Sequence, residues 1–221
     1  MKKIITIAIV IIIIITIFFI KTNYKLFKSG NNMSNKSADK IEKYILDINS
    51  YELTANITIE SNKNTNIYIV QEKYIKDNNV CKQEILEPEN VKGISFIYDG
   101  TSLKIKNTNL NLNKIYENYN YIGENSITLM RFINDYKNSN GSKMSENEDE
   151  IILETKLKSG SKYIAYKKLY ISKNTGSPSK LEIQDITQKT TIYILYNEIK
   201  INNLQKEDIL AFKIQEVSND I

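Results

Sequence analysis

Residues 51–60, YELTANITIE, carry apolar side chains at the odd positions and polar side chains at the even positions. Successive side chains of a β-strand point to opposite faces, so this alternation predicts a strand with one face in water. Further strands are predicted at 66–76, 79–86, 94–98 and 102–107, with 112–118 as an additional candidate. The Asp99-Gly100 pair predicts a hairpin turn between two of these strands, because both residue types tolerate a positive φ.

Two segments instead repeat their apolar residues with the period of an α-helix. The first follows Ser37, a residue type suited to cap a helix. Its apolar stripe, at i, i+3, i+4 and i+7, consists of Ile41, Tyr44, Ile45 and Ile48. The second helix is predicted at 125–138, with one apolar side formed by Ile127, Met130, Ile133 and Tyr136.

Three or four strands are predicted to close the chain after a polar loop. They span 150–157, 162–172, 179–187 and 190–202, and their turns contain Gly160, Gly176 and Pro178, which are suited to reversing the chain. The order is therefore helix, strands, helix, strands. Consecutive hairpins with so few helices predict the α+β class, with one strongly curved antiparallel sheet whose concave face the helices cover.

Apolar side chains exceed what a sheet with one wet face requires. Residues 163–171 and 191–196 place aliphatic or aromatic groups on both faces. A small domain covers both faces of only part of its sheet, so this surface is either capped by helices or left as a groove for a ligand or partner. The predicted groove residues are Tyr163, Tyr166, Tyr170, Ile192, Ile194 and Tyr196. For the tyrosines, packing in the core is the alternative, since strands favour tyrosine.

The N-terminus carries the strongest apolar signal in the chain. Residues 4–20 are uncharged and are bracketed by Lys2, Lys3 and Lys21. As a helix this length reaches the lower limit for crossing a bilayer core, so we expect an uncleaved transmembrane anchor at 1–21, with a cleaved signal peptide as the alternative. A polar tether at 22–36 and one domain at 37–221 follow, and the domain is expected outside the cytoplasmic membrane.

Charge and rare residues exclude several classes of function. Residues 1–40 hold seven lysines and one aspartate, so residues 41–221 sum to about −2 although the whole chain is +4. A folded part without basic excess argues against a nucleic-acid partner. The chain has no histidine and a single cysteine, Cys81, which removes the common zinc sites and nucleophile–base pairs.

No metal, cofactor or catalytic residue is predicted. The acidic run Glu146, Glu148, Asp149 and Glu150 lacks the alternating pattern of a calcium loop and is interpreted as a solvated loop. Cys81 alternates within a strand and is interpreted as a small half-buried apolar residue.

The chain resembles the LolA/LolB/RseB superfamily of lipoprotein carriers and envelope sensors. The similarity lies in LDINSYELTANITIE, in QEILEPENVKGISFIYDGTSLKIKN and in SPSKLEIQDITQKTTIYILYNEIKINNLQKEDILAF. Its landmarks, in order, are Tyr51, Pro88, Gly93, Asp99, Gly100, Pro178, Asp185, Asn203 and Phe212. In composition the chain looks most like the germination lipoproteins of clostridial spore formers. The resemblance implies an eleven-strand half-barrel closed by helices, an apolar interior, no catalysis and support of a spore-cortex amidase.

The predicted function is therefore a membrane-tethered, non-enzymatic binding domain. Its ligand is expected to be a lipid or acyl group, or its partner an envelope protein such as a cortex amidase. Two alternatives stay open: a structural or adhesion spacer, and an enzyme that uses carboxylates on glycans.

Overall fold

The structure, a computed structural model, describes residues 37–61, 63–77, 79–107, 109–119, 125–204 and 208–209. This part of the chain forms two helices and eleven strands. They are α1 (Ala38–Leu46), β1 (Ser50–Glu60), β2 (Thr65–Ile75), β3 (Val80–Glu87), β4 (Ser95–Tyr98), β5 (Leu103–Asn107), β6 (Leu112–Tyr116), α2 (Leu129–Asn138), β7 (Lys143–Glu146), β8 (Glu150–Ser161), β9 (Ile164–Ser172), β10 (Pro178–Gln184) and β11 (Thr190–Ile201).

All eleven strands belong to one antiparallel sheet. Their spatial order is β6-β5-β4-β3-β2-β1-β11-β10-β9-β8-β7. Two meanders, β1 to β6 and β7 to β11, therefore meet where the first strand pairs with the last, in a register that runs from Tyr51 opposite Ile201 to Ile59 opposite Ile192. β6 and β7 form the two edges.

The strand β1 shows why the sheet has two different faces. Tyr51, Leu53, Ala55 and Ile57 are buried, whereas the polar residues between them are half-buried. Both helices pack on the face that bears these buried residues, which we call the helix-side face; the opposite one is the outer face. The predicted period of two is thus expressed as one core face and one wetter face.

Each helix buries part of the apolar stripe expected from its sequence. In α1, Ile41 and Ile45 are buried. In α2 the buried residues are Leu129, Met130, Phe132, Ile133 and Tyr136. Thr128 caps α2, since its hydroxyl accepts a hydrogen bond from the Arg131 N–H at 3.1 Å. The cap places the helix start at Leu129, a few residues later than the predicted segment.

Two hydrogen bonds show that the sheet curls around the helices. Asn125 donates to the side chain of Gln83 on β3, and the carbonyl of the next residue, Ser126, accepts from Lys167 on β9. β3 and β9 are five strand spacings apart, about 24 Å in a flat sheet. Adjacent residues contact both strands because the sheet bends toward its helix-side face.

The predicted fold class requires a correction. It set a transmembrane helix in front of a half-barrel, whereas the structure shows an open antiparallel sheet with two helices. No helix in the described ranges is long and apolar enough to cross a membrane. The predicted anchor at 1–21 and tether at 22–36, and the landmark Phe212, lie outside the described residues.

Candidate functional site

The six residues predicted to line a groove lie on both faces of the sheet. Ile194 and Tyr196 are buried on the helix-side face, and Ile192 is half-buried on the same face. Tyr166 and Tyr170 are half-buried on the outer face, because they alternate with the buried Ala165, Lys167 and Leu169. Tyr163, in the turn before β9, is 59% exposed. The six side chains therefore do not line a single groove.

The outer-face tyrosines contact lysines. The ammonium group of Lys180 lies 3.8 Å from the ring centroid of Tyr170, and that of Lys156 lies 5.6 Å from the ring centroid of Tyr166. The Tyr170 hydroxyl donates to Glu182 at 3.3 Å. These rings are thus covered by charged side chains of neighbouring strands.

A second set of apolar residues lies on the helix-side face and stays partly exposed. These side chains pack against the buried core and keep part of their surface exposed. They are Ile59, Tyr68, Phe96, Ile105, Ile127 and Ile192, and we call this set of residues the trough. The strand register aligns its members: Ile59 lies opposite Ile192 and Phe96 opposite Ile105.

Sequence reasoning found one trough residue, Ile192, among its groove candidates. A usable signal was present for the others, since Ile59, Phe96 and Ile105 stand at the apolar positions of alternating strands. What the sequence did not show was which apolar positions remain partly uncovered once the helices have packed.

The trough opens at the ends of strands β1 and β11. A cavity of about 660 Å³ lies there, with an apolar wall formed by Ile59, Tyr163, Ile164 and Ile192. Its polar lining includes the charged residues Glu60, at the end of β1, and Lys63, Asp185 and Lys189, in neighbouring turns. An apolar wall with charged residues at its entrance is the usual form of a site that binds an apolar group from water.

A buried carboxyl lies at the other end of the helix-side face. Glu72 is 4% exposed and accepts hydrogen bonds from the hydroxyl of Tyr51 and, at 2.6 Å, from the amide of Gln83. Burial raises the pKa of Glu72 to about 7, although both hydrogen bonds act to lower it. The Met130 N–H at the start of α2 donates to the same Tyr51 hydroxyl at 3.4 Å. The carboxyl therefore joins three strands to a helix.

The hydroxyl of Tyr196 is buried and has no hydrogen-bond partner among the described residues. Burial raises the pKa of Tyr196, and the nearby Glu72 raises it further. The side-chain oxygen of Gln184 is likewise buried, and it has no hydrogen-bond partner in the described part of the chain. Tyr196 lies on β11, the strand that carries Ile192, and Gln184 lies on the neighbouring strand β10.

An ion pair fixes helix α2 to the sheet. Lys167 is fully buried on β9, and its ammonium group donates to Asp135 at 2.7 Å and to the Ser126 carbonyl at 2.7 Å. Asp135 also accepts from the Arg131 guanidinium at 2.8 Å. Burial lowers the pKa of Lys167, while Asp135 acts in the opposite direction.

Few acidic or sulfur groups are buried in the described part of the chain. Within the described ranges, no group of three or more acidic or sulfur side chains is placed to hold a metal ion. Glu72 is the one carboxylate of that part of the chain that is buried, so no pair of buried acids exists there. Burial raises the pKa of the Cys81 thiol well above its usual value, which disfavours the nucleophilic thiolate.

No protein-family model matches the chain, and no curated protein matches it either. An uncharacterized conserved protein from Thermus thermophilus is 13% identical, with 79% of this chain and 93% of that chain covered and a TM-score of 0.48. A chain in the structure of the CwlD amidase from Clostridioides difficile in complex with the GerS lipoprotein is 23% identical. The match covers 76% of this chain and 92% of that chain, with a TM-score of 0.43. A LolA superfamily protein from Nitrosomonas europaea is 14% identical, with 78% and 97% covered and a TM-score of 0.41.

The solved structures similar to this chain thus include a LolA superfamily protein and the complex of the CwlD amidase with the GerS lipoprotein, as the resemblance found in the sequence predicts. At identities this low the likeness concerns the fold alone.

Proposed function

We propose that this protein is a non-enzymatic binding domain whose trough holds the acyl chain of a lipid. The observation that carries the proposal is the partial exposure of Ile59, Phe96, Ile105 and Ile192 on the face that otherwise forms the core. Burial of an acyl chain against this apolar surface is favourable by about 0.8 kcal/mol for each CH₂ group that is removed from water. A hydrocarbon chain is the ligand class that uses such a surface without needing polar partners.

The dimensions of the opening fit a ligand of this size. The cavity at the ends of β1 and β11 measures about 660 Å³, within the range of roughly 300–1,000 Å³ that is typical of small-ligand sites. Three of its four charged residues lie in turns, and three of its four apolar residues lie in strands. A rigid apolar wall with a polar entrance orients an amphiphile with its chain inward.

The groups that line the helix-side face support binding rather than catalysis. Glu72 has both carboxylate oxygens engaged by Tyr51 and Gln83. Asp135 has both of its oxygens engaged by Lys167 and Arg131. Acids held in this way stabilise the position of helix α2 and have no oxygen directed at a bound ligand.

The test is equilibrium binding of cis-parinaric acid, a fatty acid whose fluorescence rises in an apolar site, to the full chain. We expect saturable binding that Phe96→Glu weakens about tenfold or more, because a carboxylate in the trough is desolvated by the chain. Ile97→Glu is the matched control: Ile97 is the next residue on β4, points to the outer face and should leave the affinity unchanged. Absence of saturable binding to the wild type would remove the proposal.

A second candidate function, docking of an envelope protein, is favoured by the edge strand β6. Among the described strands, β6 has a neighbour on one side only, and its residues Ile115 and Tyr116 are 59% and 43% exposed. Strands β5 and β6, residues 103–116, carry three lysines and no acid. A free strand edge with apolar and basic side chains fits an extended acidic segment that adds a strand to the sheet.

A cell-wall amidase is the partner class that the sequence resemblance implies, and we propose that it docks at this edge. Its test is the affinity of such an amidase for the full chain, measured by surface plasmon resonance. Ile115→Glu should weaken the interaction, whereas Ile67→Glu, at a residue of nearly equal exposure on β2, should not. Equal losses of affinity in the two variants would argue against β6 as the docking site.

We further propose that the domain acts in the cell envelope, outside the cytoplasm. The support is the composition of residues 1–21, in which two lysines precede 17 uncharged residues, as in segments that direct a chain to export. A fusion of alkaline phosphatase to the C-terminus of the full chain should be active in cells, since that enzyme requires an oxidising compartment. An inactive fusion at normal abundance would contradict this location.

A further inference from the structure

Two neighbouring turns at one end of the sheet expose large apolar side chains to solvent. Tyr163, between β8 and β9, is 59% exposed, and Ile186, between β10 and β11, is 62% exposed. Hydrogen bonds join the two turns: the Ile186 N–H donates to the Lys162 carbonyl at 3.2 Å, and the Thr191 hydroxyl donates to the Tyr163 carbonyl at 3.0 Å. The exposed tyrosine and isoleucine therefore belong to one surface.

This surface surrounds the opening of the larger cavity. Tyr163 lines the cavity of about 660 Å³ together with Lys63 from the turn between β1 and β2 and Lys189 from the turn between β10 and β11. Three chain segments thus meet at the opening. They are residues 60–64, 158–163 and 185–189, and we call them the mouth segments.

The mouth segments carry a positive formal charge. They hold four lysines and two acids, so their net charge is +2, whereas residues 41–221 together sum to about −2. All four lysines, at 63, 158, 162 and 189, are exposed. The ammonium group of Lys162 lies 4.8 Å from the ring centroid of Tyr163. Cationic and apolar side chains are therefore presented side by side.

This combination distinguishes a lipid surface from a protein partner. Protein interfaces are depleted in lysine, whereas the surface of an anionic membrane attracts it. Tyrosine is enriched at the level of the lipid head groups, and exposed aliphatic side chains gain by entering the boundary between head groups and acyl chains. The chemistry of the mouth segments thus matches an anionic bilayer.

We propose that the mouth segments dock on an anionic lipid bilayer, with Tyr163 and Ile186 in the head-group region and the lysines beside the lipid phosphates. Docking in this orientation brings the cavity opening to the bilayer surface. The inference goes beyond the proposed acyl-binding function and is tested separately from it, because docking uses side chains around the opening and requires no ligand in the trough.

The experiment places a fluorescent label at Ile186 of the full chain. Cys81 is the one cysteine of the sequence and is buried, so Ile186→Cys supplies an accessible thiol for a nitrobenzoxadiazole fluorophore. The protein is reconstituted in vesicles of equal parts phosphatidylcholine and phosphatidylglycerol that contain a spin-labelled lipid as quencher. We expect quenching about twofold or more stronger than for the same label at Ile115→Cys, a residue of nearly equal exposure on β6. Vesicles of phosphatidylcholine alone should give less quenching at residue 186.

Reversal of charge in the mouth segments tests the role of the lysines. Lys162→Glu combined with Lys189→Glu should reduce the quenching at residue 186, because it places negative charge beside the lipid phosphates. Lys40→Glu combined with Lys76→Glu is the matched control, since it changes the net charge equally at exposed lysines outside the mouth segments. The control pair and an excess of oleate should both leave the quenching unchanged.

Equal quenching at residues 186 and 115, or an equal reduction by the two pairs of charge reversals, would overturn the docking and leave the acyl-binding function standing. Quenching that oleate suppresses would assign the signal to a lipid held in the trough and would also overturn the docking. Quenching as expected, in a protein that fails to bind cis-parinaric acid, would support the docking and remove the acyl-binding function.

Discussion

The ammonium group of Lys167 lies 2.7 Å from the carboxylate of Asp135, and the lysine side chain is completely buried. This contact joins strand β9 to helix α2 across the helix-side face. Because Lys167 also donates to the Ser126 carbonyl, it fixes the segment that enters the helix as well. The position of α2, and with it one wall of the trough, therefore depends on a charge that the sheet buries.

Removing one partner of this pair should be costly. We expect Asp135→Asn to lower the free energy of unfolding by about 3–5 kcal/mol, because it leaves Lys167 buried without its counter-ion. The double variant Asp135→Asn with Lys167→Met should be more stable than Asp135→Asn alone, since it removes the uncompensated charge. Urea unfolding monitored by circular dichroism measures both changes.

The exposed ion pair between Lys143 and Glu154 is the control for this prediction. Its groups lie 2.9 Å apart, but Lys143 is 71% exposed. Lys143→Met should change the free energy of unfolding by less than about 1 kcal/mol. Similar losses for Asp135→Asn and Lys143→Met would mean that the Lys167 pair is not buried in solution.

Glu72 should make the stability of the domain depend on pH. Its pKa is raised from 4.5 to about 7 in the folded protein, so the folded state binds more protons than the unfolded state between these values. The contribution of Glu72 to stability is therefore fully present below pH 4.5 and is lost as the pH rises to about 7. The loss is on the order of 3 kcal/mol.

Glu72→Gln isolates this effect from the other titrating groups. The difference in free energy of unfolding between the wild type and this variant should change across the window from pH 4.5 to pH 7 and stay constant above it. Urea unfolding at a series of pH values gives the difference directly. A difference that does not vary with pH would show that the carboxyl is not desolvated.

The unpartnered hydroxyl of Tyr196 predicts an unusual response to substitution. Tyr196→Phe should leave the free energy of unfolding unchanged or raise it by up to about 1 kcal/mol, because a buried hydroxyl without a partner costs desolvation energy. Tyr51→Phe should instead destabilise the domain, since it removes the bonds to Glu72 and to the Met130 N–H. Thermal unfolding of both variants makes the comparison, and destabilisation of similar size would show that Tyr196 has a partner.

Ile194 and Leu195 test which face of β11 is the core. They are neighbours in sequence, yet Ile194 is 1% exposed and Leu195 is 40% exposed. Ile194→Asp should cost several kcal/mol, because it buries a carboxylate without a partner. Leu195→Asp should cost no more than about 1 kcal/mol. A soluble Ile194→Asp variant of normal stability would contradict the orientation of this strand.

Local patterns were sufficient to predict much of the sheet. The alternation from Tyr51 to Ile59 predicted β1 and its buried face, and Asp99-Gly100 predicted the turn between β4 and β5. These features depend on neighbours in sequence. The same parity separates Tyr166 and Tyr170 from Ala165 and Leu169, and it would have removed the two tyrosines from a groove on the helix-side face.

Other features could not be predicted because they depend on residues far apart in the chain. Lys167 stands in a tyrosine-rich strand, and nothing local indicates that it is buried; its partner Asp135 lies on a helix 32 residues earlier. A cavity of about 330 Å³ likewise combines residues of helix α2 with residues of the distant β8–β9 hairpin. The exposed part of the trough is set by how far two short helices reach across a curled sheet, which no sequence period encodes.

Photolabelling tests the central claim, that the trough holds an acyl chain, most directly. A fatty acid with a diazirine at the end of its chain is bound to the full protein and irradiated, and the modified residues are identified by mass spectrometry. We predict adducts on helix-side residues of the trough, Ile59, Phe96, Ile105 and Ile192, that excess unlabelled oleate suppresses. Adducts confined to outer-face residues such as Ile67 and Leu195, or labelling that oleate does not suppress, would contradict the account.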